Sequence, residues 1–122
     1  MALIMLADDD PTFCAAIEEF LISRGHQVVS VHGGASAAIK AQEWRPHLII
    51  MDIQMPGGYG TSAYQVLERE GVTKMTPVIF VSGVSLQHVR KLLPPPEKAA
   101  FLSKPVDFAQ LEALVAARVP KL

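Results

Sequence analysis

Residues that can carry chemistry follow four apolar segments of this chain, each just past the point where the segment stops. They are two neighbouring aspartates, a third aspartate, a serine and a lysine: Asp8, Asp9, Asp52, Ser82 and Lys104. Three carboxylates gathered at one place repel one another, by about 4 kcal/mol for each pair 4 Å apart at an effective dielectric constant of 20. Such a cluster either takes up protons or binds a cation.

The candidate ligands are all oxygen atoms, and the four histidines are scattered along the chain without ligand spacing. A hard ion such as Mg²⁺ is therefore the expected cation. A metal ion, the ammonium of Lys104 and the hydroxyl of Ser82 together suit the oxygens of a transferring phosphoryl group. A carboxylate among them can act as the nucleophile and become an aspartyl phosphate. The residue types thus predict phosphoryl transfer, provided that the fold brings them together.

The position of Asp52 is indicated by its neighbours in the sequence. It follows the apolar run LIIM at 48–51 and precedes Met55, Pro56 and Gly57. A short apolar run bounded by turn residues is typical of a strand covered on both faces in a parallel sheet. Because Pro56 and Gly57 prevent continuation, we expect Asp52 at the carboxyl end of the strand, where ligand sites form in open α/β sheets.

The remaining elements are predicted as strands that alternate with helices. Strands are predicted at 3–7, 26–31, 48–51, 78–81 and 99–103. Helices are predicted to begin at Pro11 behind an Asp10 cap, near 35–43, at 62–70, near 86–93, and behind an Asp107 cap. This alternation implies βαβ units, a parallel sheet and right-handed crossovers. Parallel strands would deliver all the candidate residues to the same sheet edge.

The length of 122 residues favours a single domain spanning residues 1–122, stand-alone or excised from a larger protein. Eleven basic and twelve acidic residues give a formal net charge of −1, which offers no general attraction to nucleic acid or to an anionic membrane. The single cysteine, Cys14, cannot form an internal disulfide and is expected to be an inert core residue. No apolar run approaches the length of a membrane span and no signal peptide is evident, so a cytoplasmic location is expected.

Four motifs make the sequence resemble a CheY-like receiver domain of the two-component response-regulator family. They are LADDD at 6–10, IIMDIQMPG at 49–57, PVIFVSG at 77–83 and FLSKP at 101–105. The intervals from Asp52 to Ser82 and from Ser82 to Lys104 also resemble those of the family. The resemblance covers essentially the whole chain, and it implies a flavodoxin-like, doubly wound α/β fold with a five-stranded parallel sheet in the order 2-1-3-4-5 and about five helices.

The resemblance also implies a role for each candidate residue. Asp52 would accept the phosphoryl group, and Ser82 and Lys104 would contact its oxygens. Phe101 falls at the position of the family's switch aromatic, whose ring is expected to move inward as Ser82 shifts toward the phosphate. Magnesium would be held by Asp8, Asp9, Asp52 and the backbone carbonyl of Gln54, and of the first two aspartates Asp9 is favoured as the direct ligand.

A receiver domain would take its phosphoryl group from a sensor histidine kinase or a histidine phosphotransfer protein in a phosphorelay. It would catalyse that transfer itself, hydrolyse the product slowly, and otherwise not be an enzyme. Its output would be altered binding to a downstream protein partner or output domain, and the resemblance also allows a phosphorylation-dependent homodimer. Two alternatives stay open: an interaction module that no longer relies on phosphorylation, and a Mg²⁺-dependent phosphohydrolase. The second needs another aspartate two residues after the nucleophile, where this chain has Gln54.

Two segments depart from the family pattern. Gly58 and Tyr59 stand in the loop after Pro56, so the loop from Gly57 to Gly60 is expected to be flexible. The segment LLPPPE at 92–97 replaces the usual end of the fourth helix, and three prolines cannot continue a helix. We therefore expect a short fourth helix and a signalling face that differs from the usual one.

Overall fold

A central parallel sheet organises the chain in a computed structural model, which describes residues 2–55, 58–84, 87, 90–95 and 98–119. Its strands are β1 (Leu3–Ala7), β2 (Gln27–Val31), β3 (Leu48–Asp52), β4 (Val78–Ser82) and β5 (Ala100–Ser103). Their order across the sheet is β2-β1-β3-β4-β5, with every neighbouring pair parallel. This confirms the predicted flavodoxin-like fold and its 2-1-3-4-5 order.

Three helices connect consecutive strands of the sheet, and a further helix follows the last strand. Among the described residues they are α1 (Pro11–Ser23), α2 (Gly34–Trp44), α3 (Gly60–Arg69) and α4 (Phe108–Arg118). The described part of the chain thus contains four α-helices, where about five were expected. In the segment predicted as the fourth of five helices, 86–93, three residues (86, 88 and 89) lie outside the described residues. Within it, Arg90–Leu92 forms a 3₁₀-helix.

Two apolar layers cover the sheet, one on each face. Alternate residues of a strand point to opposite faces, so Met5 and Ile49 belong to one layer and Ile4 and Ile50 to the other. All five residues of β3 are buried. This double cover is why the central strands are near-continuous apolar runs that stop only where a polar residue meets the sheet edge.

Helix α1 begins as its sequence predicts. The Asp10 carboxylate accepts hydrogen bonds from the backbone N–H groups of Thr12 at 3.0 Å and Phe13 at 3.3 Å. The helix ends before Gly25, which has a φ of +90°. Cys14 on this helix is buried as expected, and burial together with the charge of Asp8 raises the pKa of its thiol to about 11. A thiol with that pKa is protonated at neutral pH and unreactive.

Helix α4 also has its predicted cap, because Asp107 accepts a hydrogen bond from the backbone N–H of Ala109 at 2.8 Å. Phe108, the first residue of this helix, is 42% exposed, and its ring stacks on Phe20 of α1 with centroids 4.7 Å apart. The first helical residue lies at the rim of the helix–sheet interface, so a neighbouring helix covers it only in part.

The segment after β3 contains more backbone pairing than a flexible loop. Gln54–Met55 and Gly58–Tyr59 pair as a two-stranded antiparallel hairpin, and α3 begins directly after it at Gly60 instead of at the predicted Ser62. Pro56 and Gly57 lie outside the described residues. The hairpin closes the chain back over the end of β3, next to Asp52.

No helix within the described ranges combines the length and the apolar character that a membrane span requires.

Candidate functional site

Strand register brings the predicted site residues to one edge of the sheet. Asp52 is the last residue of β3 and pairs with Val81, the residue before Ser82. Met51 pairs with Ala7, so Asp8 leaves β1 beside Asp52. Ser103 pairs with Ser82, and the backbone N–H of the next residue, Lys104, donates to the Ser82 carbonyl at 2.8 Å. The convergence expected from a parallel sheet is therefore present.

The three aspartates form an acidic cluster, Asp8, Asp9 and Asp52. One carboxylate oxygen from each lies within 4.8 Å of the others. Asp8 and Asp52 are buried, whereas Asp9 is exposed. Three convergent carboxylate oxygens, one of them open to solvent, fit a hard divalent ion that keeps several of its water ligands, such as Mg²⁺.

Asp8 is held in place by a set of short contacts. One of its carboxylate oxygens accepts from the backbone N–H of Asp10 at 2.9 Å, and the other accepts from the Lys104 ammonium at 2.8 Å. Its backbone carbonyl lies 2.9 Å from Nδ1 of His32 and accepts from the Cys14 thiol at 3.4 Å. These contacts supply the hydrogen-bond partners that a fully buried carboxylate requires.

Asp52 is bonded at both carboxylate oxygens. One accepts from the backbone N–H of Gln54 at 3.2 Å and the other from Lys104 at 3.3 Å. Burial and the negative charge of Asp8 raise the pKa of Asp52, and the ammonium of Lys104 opposes that rise. The carboxylate is thus desolvated and crowded by negative charge, which favours its combination with an electrophile or a cation.

Lys104 bridges the two buried aspartates. Burial acts to lower its pKa, but the hydrogen bond to Asp8 and the charges of both carboxylates outweigh burial and raise the pKa. The ammonium therefore stays charged at neutral pH. It lies where it can contact an oxygen of any group bonded to Asp52. The face of the Phe13 ring lies 4.3 Å from the same ammonium.

Ser82 is buried at the end of β4, one residue past the partner of Asp52. Its hydroxyl oxygen accepts a hydrogen bond from the backbone N–H of Val84 at 3.0 Å. That contact orients the hydroxyl, whose own proton can be donated to an anion on the neighbouring strand.

Phe101 lies in β5 opposite Phe80 and is half-buried. With Phe80, Leu93 and Pro94 it lines a groove of about 490 Å³. The groove leaves room beside the ring, as a moving aromatic requires, but the switch role of Phe101 stays a prediction. The metal-binding role of the Gln54 carbonyl likewise stays a prediction, since the contact found is that of its N–H with Asp52.

Sequence reasoning did not identify Gly60 as part of the site. A Cβ atom at this position would lie 2.1 Å from the backbone oxygen of Asp52, and the Gly60 N–H donates to the carbonyl of Ile53 at 2.7 Å. Only glycine lets the start of α3 approach the end of β3 so closely. The glycine-rich run after Pro56 was the available signal. Phe13 was also missed, because its contact with Lys104 joins residues far apart in the sequence.

Comparison with known proteins agrees with this geometry. A family model described as response regulator receiver domain matches residues 4–116. The chain is 34% identical over 108 residues to the protein PilH of Pseudomonas aeruginosa, covering 88% of each. It is 28% identical over 115 residues to the sensor protein GacS of Pseudomonas syringae, covering 92% of this chain and 13% of that protein.

Solved structures give the same result. The receiver domain of a sensor histidine kinase from Pseudomonas aeruginosa PAO1, crystallised with a magnesium ion in its active-site cleft, superposes with a TM-score of 0.84. It is 27% identical and 97% of each chain is covered. The family model matches nearly the whole sequence, and one edge of the sheet gathers three aspartates, a serine and a lysine. This chain therefore belongs to the response regulator receiver domains of two-component systems.

Proposed function

We propose that Asp52 is the phosphoacceptor of this receiver domain and takes its phosphoryl group from a phosphohistidine. The donor would be a sensor histidine kinase or a histidine phosphotransfer protein. The observation that carries the proposal is the position of Asp52, buried at the end of β3 within the acidic cluster and 3.3 Å from the Lys104 ammonium.

The transfer requires little covalent chemistry from the protein. A carboxylate oxygen of Asp52 forms a bond to phosphorus as the bond from phosphorus to the donor's imidazole nitrogen breaks, and the imidazole leaves with the electron pair. Lys104 and Ser82 contact the oxygens of the phosphoryl group while it is transferred. Their contribution is positioning and charge stabilisation, which is available because both side chains are already held beside Asp52 by the strand ends.

Magnesium is the cofactor that the donor set fits, with Asp8, Asp9 and Asp52 as side-chain ligands and the Gln54 carbonyl as the backbone ligand. When bound, it would neutralise the charge that the carboxylates and the phosphoryl oxygens bring together. The receiver domain that is 27% identical to this chain carries magnesium in its active-site cleft, which supports this assignment.

The proposed output is a change in binding to a downstream protein, with Phe101 as the moving residue. Its half-buried ring beside the groove supports this role. The same change of surface could also drive a homodimer, as the family resemblance suggests. We propose a cytoplasmic location, in keeping with the single free cysteine.

Phosphorylation with a small phosphodonor tests the assignment of Asp52. Incubation with acetyl phosphate and Mg²⁺ should raise the intact mass of the protein by one phosphoryl group, and Asp52→Asn should abolish the increase. Asp107→Asn is the matched control, because asparagine caps a helix as well as aspartate does and the described hydrogen bonds of the Asp107 side chain are to the backbone of its own helix. An unchanged mass of the native protein, or labelling of Asp52→Asn, would contradict the proposal.

A receiver locked in one state would bind its partner equally with and without a phosphoryl mimic. Beryllofluoride with Mg²⁺ is the appropriate mimic. The phosphohydrolase alternative would be favoured instead by rapid repeated turnover of an unrelated phosphomonoester. The expected result is a change in the backbone amide NMR spectrum that extends from Asp52 to Phe101, without such turnover.

A further inference from the structure

The ammonium of Lys104 has a third partner that the phosphoacceptor chemistry does not require. It lies 4.3 Å from the centroid of the Phe13 ring, within the range of a cation–π contact. The same nitrogen donates to Asp8 at 2.8 Å and to Asp52 at 3.3 Å. The Lys104 side chain is only 21% exposed, so little bulk water screens these contacts.

The Phe13 ring is itself held in place. Phe13 is the third residue of α1, and its backbone N–H donates to the capping carboxylate of Asp10 at 3.3 Å. Its ring is half-buried and packs against one of the two core layers. Long side chains on a helix lean toward its N-terminus, which here is the edge where the strands end. The ring is therefore a fixed platform at the edge of the site.

We propose that Phe13 is a positioning residue for Lys104, holding its ammonium beside Asp52 when the aspartates are engaged elsewhere. The inference deepens the proposed function and rests on it. Asp8 and Asp52 are also the proposed ligands of magnesium, so their carboxylates are shared once the metal is bound. The ring carries no net charge and keeps its attraction for the ammonium in that state. A flexible lysine side chain that loses its anchor swings into solvent, whereas a held one stays within reach of the phosphoryl oxygens.

The simpler explanation is that Phe13 only fills space. A leucine at this position keeps most of the apolar contact and removes the π system. Fluorination of the ring is the sharper change, because it keeps the shape of phenylalanine and withdraws the electron density that attracts a cation. A space-filling role predicts that fluorination has no effect.

The experiment uses the whole chain with fluorinated phenylalanine incorporated site-specifically at position 13, together with Phe13→Leu and the conservative Phe13→Trp. The first measurement is NMR of the metal-free protein. The ring should shift the ε-CH₂ protons of Lys104 upfield, and Phe13→Leu should remove that shift. The second is the affinity for beryllofluoride with Mg²⁺. Affinity should fall stepwise with the number of fluorines, by about fivefold for Phe13→Leu, and be retained in Phe13→Trp.

The same fluorinated residues at position 108 serve as the control, because Phe108 stacks on Phe20, which lies about two helical turns along α1 from Phe13 and its lysine contact. Full beryllofluoride affinity in the trifluorinated Phe13 protein, or an absent upfield shift in the native protein, overturns the positioning role. If the proposed function itself were wrong, the native protein would not bind beryllofluoride at all, and this result is distinct from native binding that fluorination leaves unchanged.

Discussion

At the scale of the residue, Asp52 combines two demands that oppose each other. As a nucleophile and ligand it must be ionised, yet it is buried beside another buried carboxylate, and burial and the charge of Asp8 raise its pKa. Lys104 compensates in part through hydrogen bonds to both aspartates. Keeping Asp52 ionised in this environment costs free energy. Binding of a divalent cation or a phosphoryl group relieves that cost and is therefore favoured.

This cost has a measurable pH dependence. The pKa of Asp52 in the folded state lies above the ordinary aspartate value of 3.8, so the folded protein takes up this proton more readily than the unfolded chain. Ionised Asp52 therefore destabilises the metal-free fold fully above its folded-state pKa, and the effect disappears below 3.8.

We expect Asp52→Asn to raise the free energy of unfolding of the metal-free protein at pH 7, measured by urea denaturation. The advantage over native protein should shrink as the pH falls through the folded-state pKa of Asp52. A variant that is less stable than native protein at pH 7, or an advantage that does not change with pH, would contradict this explanation.

At the scale of the element, the start of α3 is built against the end of β3. The hairpin of Gln54–Met55 with Gly58–Tyr59 turns the chain, and Gly60 then lies directly on the backbone of Asp52. This arrangement ties the orientation of the phosphoacceptor to the position of a helix. It explains why a glycine-rich loop here is a structural requirement of the site.

Gly60→Ala should damage both stability and function. Its Cβ would lie 2.1 Å from the Asp52 backbone oxygen, so either β3 or α3 must shift. We expect a loss of about 2 kcal/mol in the free energy of unfolding, the usual cost of overpacking, and slower labelling by acetyl phosphate.

Gly83→Ala is the matched control, since a Cβ at that position meets no atom within 4 Å. It should leave stability nearly unchanged. Equal losses in the two variants would mean that the loss does not come from contact with Asp52, because the restriction of the unfolded chain by alanine stabilises the fold by itself.

At the scale of the whole molecule, the acidic cluster couples metal binding to folding. Its members come from β3 and from the turn after β1, and they meet only when the sheet is assembled. The unfolded chain has no comparable site, so a cation that binds the cluster stabilises the fold by mass action.

Magnesium at a hundred times its dissociation constant should therefore raise the free energy of unfolding by about 2.7 kcal/mol. Asp9→Asn should remove most of this gain, because Asp9 is the solvent-facing carboxylate of the cluster. Glu19→Gln, which removes one exposed negative charge on α1, is the control for nonspecific screening. Thermal unfolding with and without Mg²⁺ measures the difference, and equal losses in the two variants would exclude specific binding by Asp9.

The sequence by itself determined the strands, the two aspartate caps and the site residues at the strand ends. These features depend on local patterns: apolar runs that stop at turn residues, and side chains that bond to backbone two or three residues away. The site residues then lie close together because the carboxyl ends of parallel strands meet at the same edge of the sheet.

Only the tertiary structure decided the contacts between elements. Phe13 meets Lys104 from the opposite end of the chain, and Gly60 meets the Asp52 backbone across a hairpin. Such pairs depend on crossover geometry, helix rotation and register. The periodicity of a single helix determines none of these. The stacking of Phe108 on Phe20 is a further contact of this kind, because it joins α4 to α1. Local sequence patterns therefore identify the functional groups at this site, whereas packing between elements determines how their side chains are positioned.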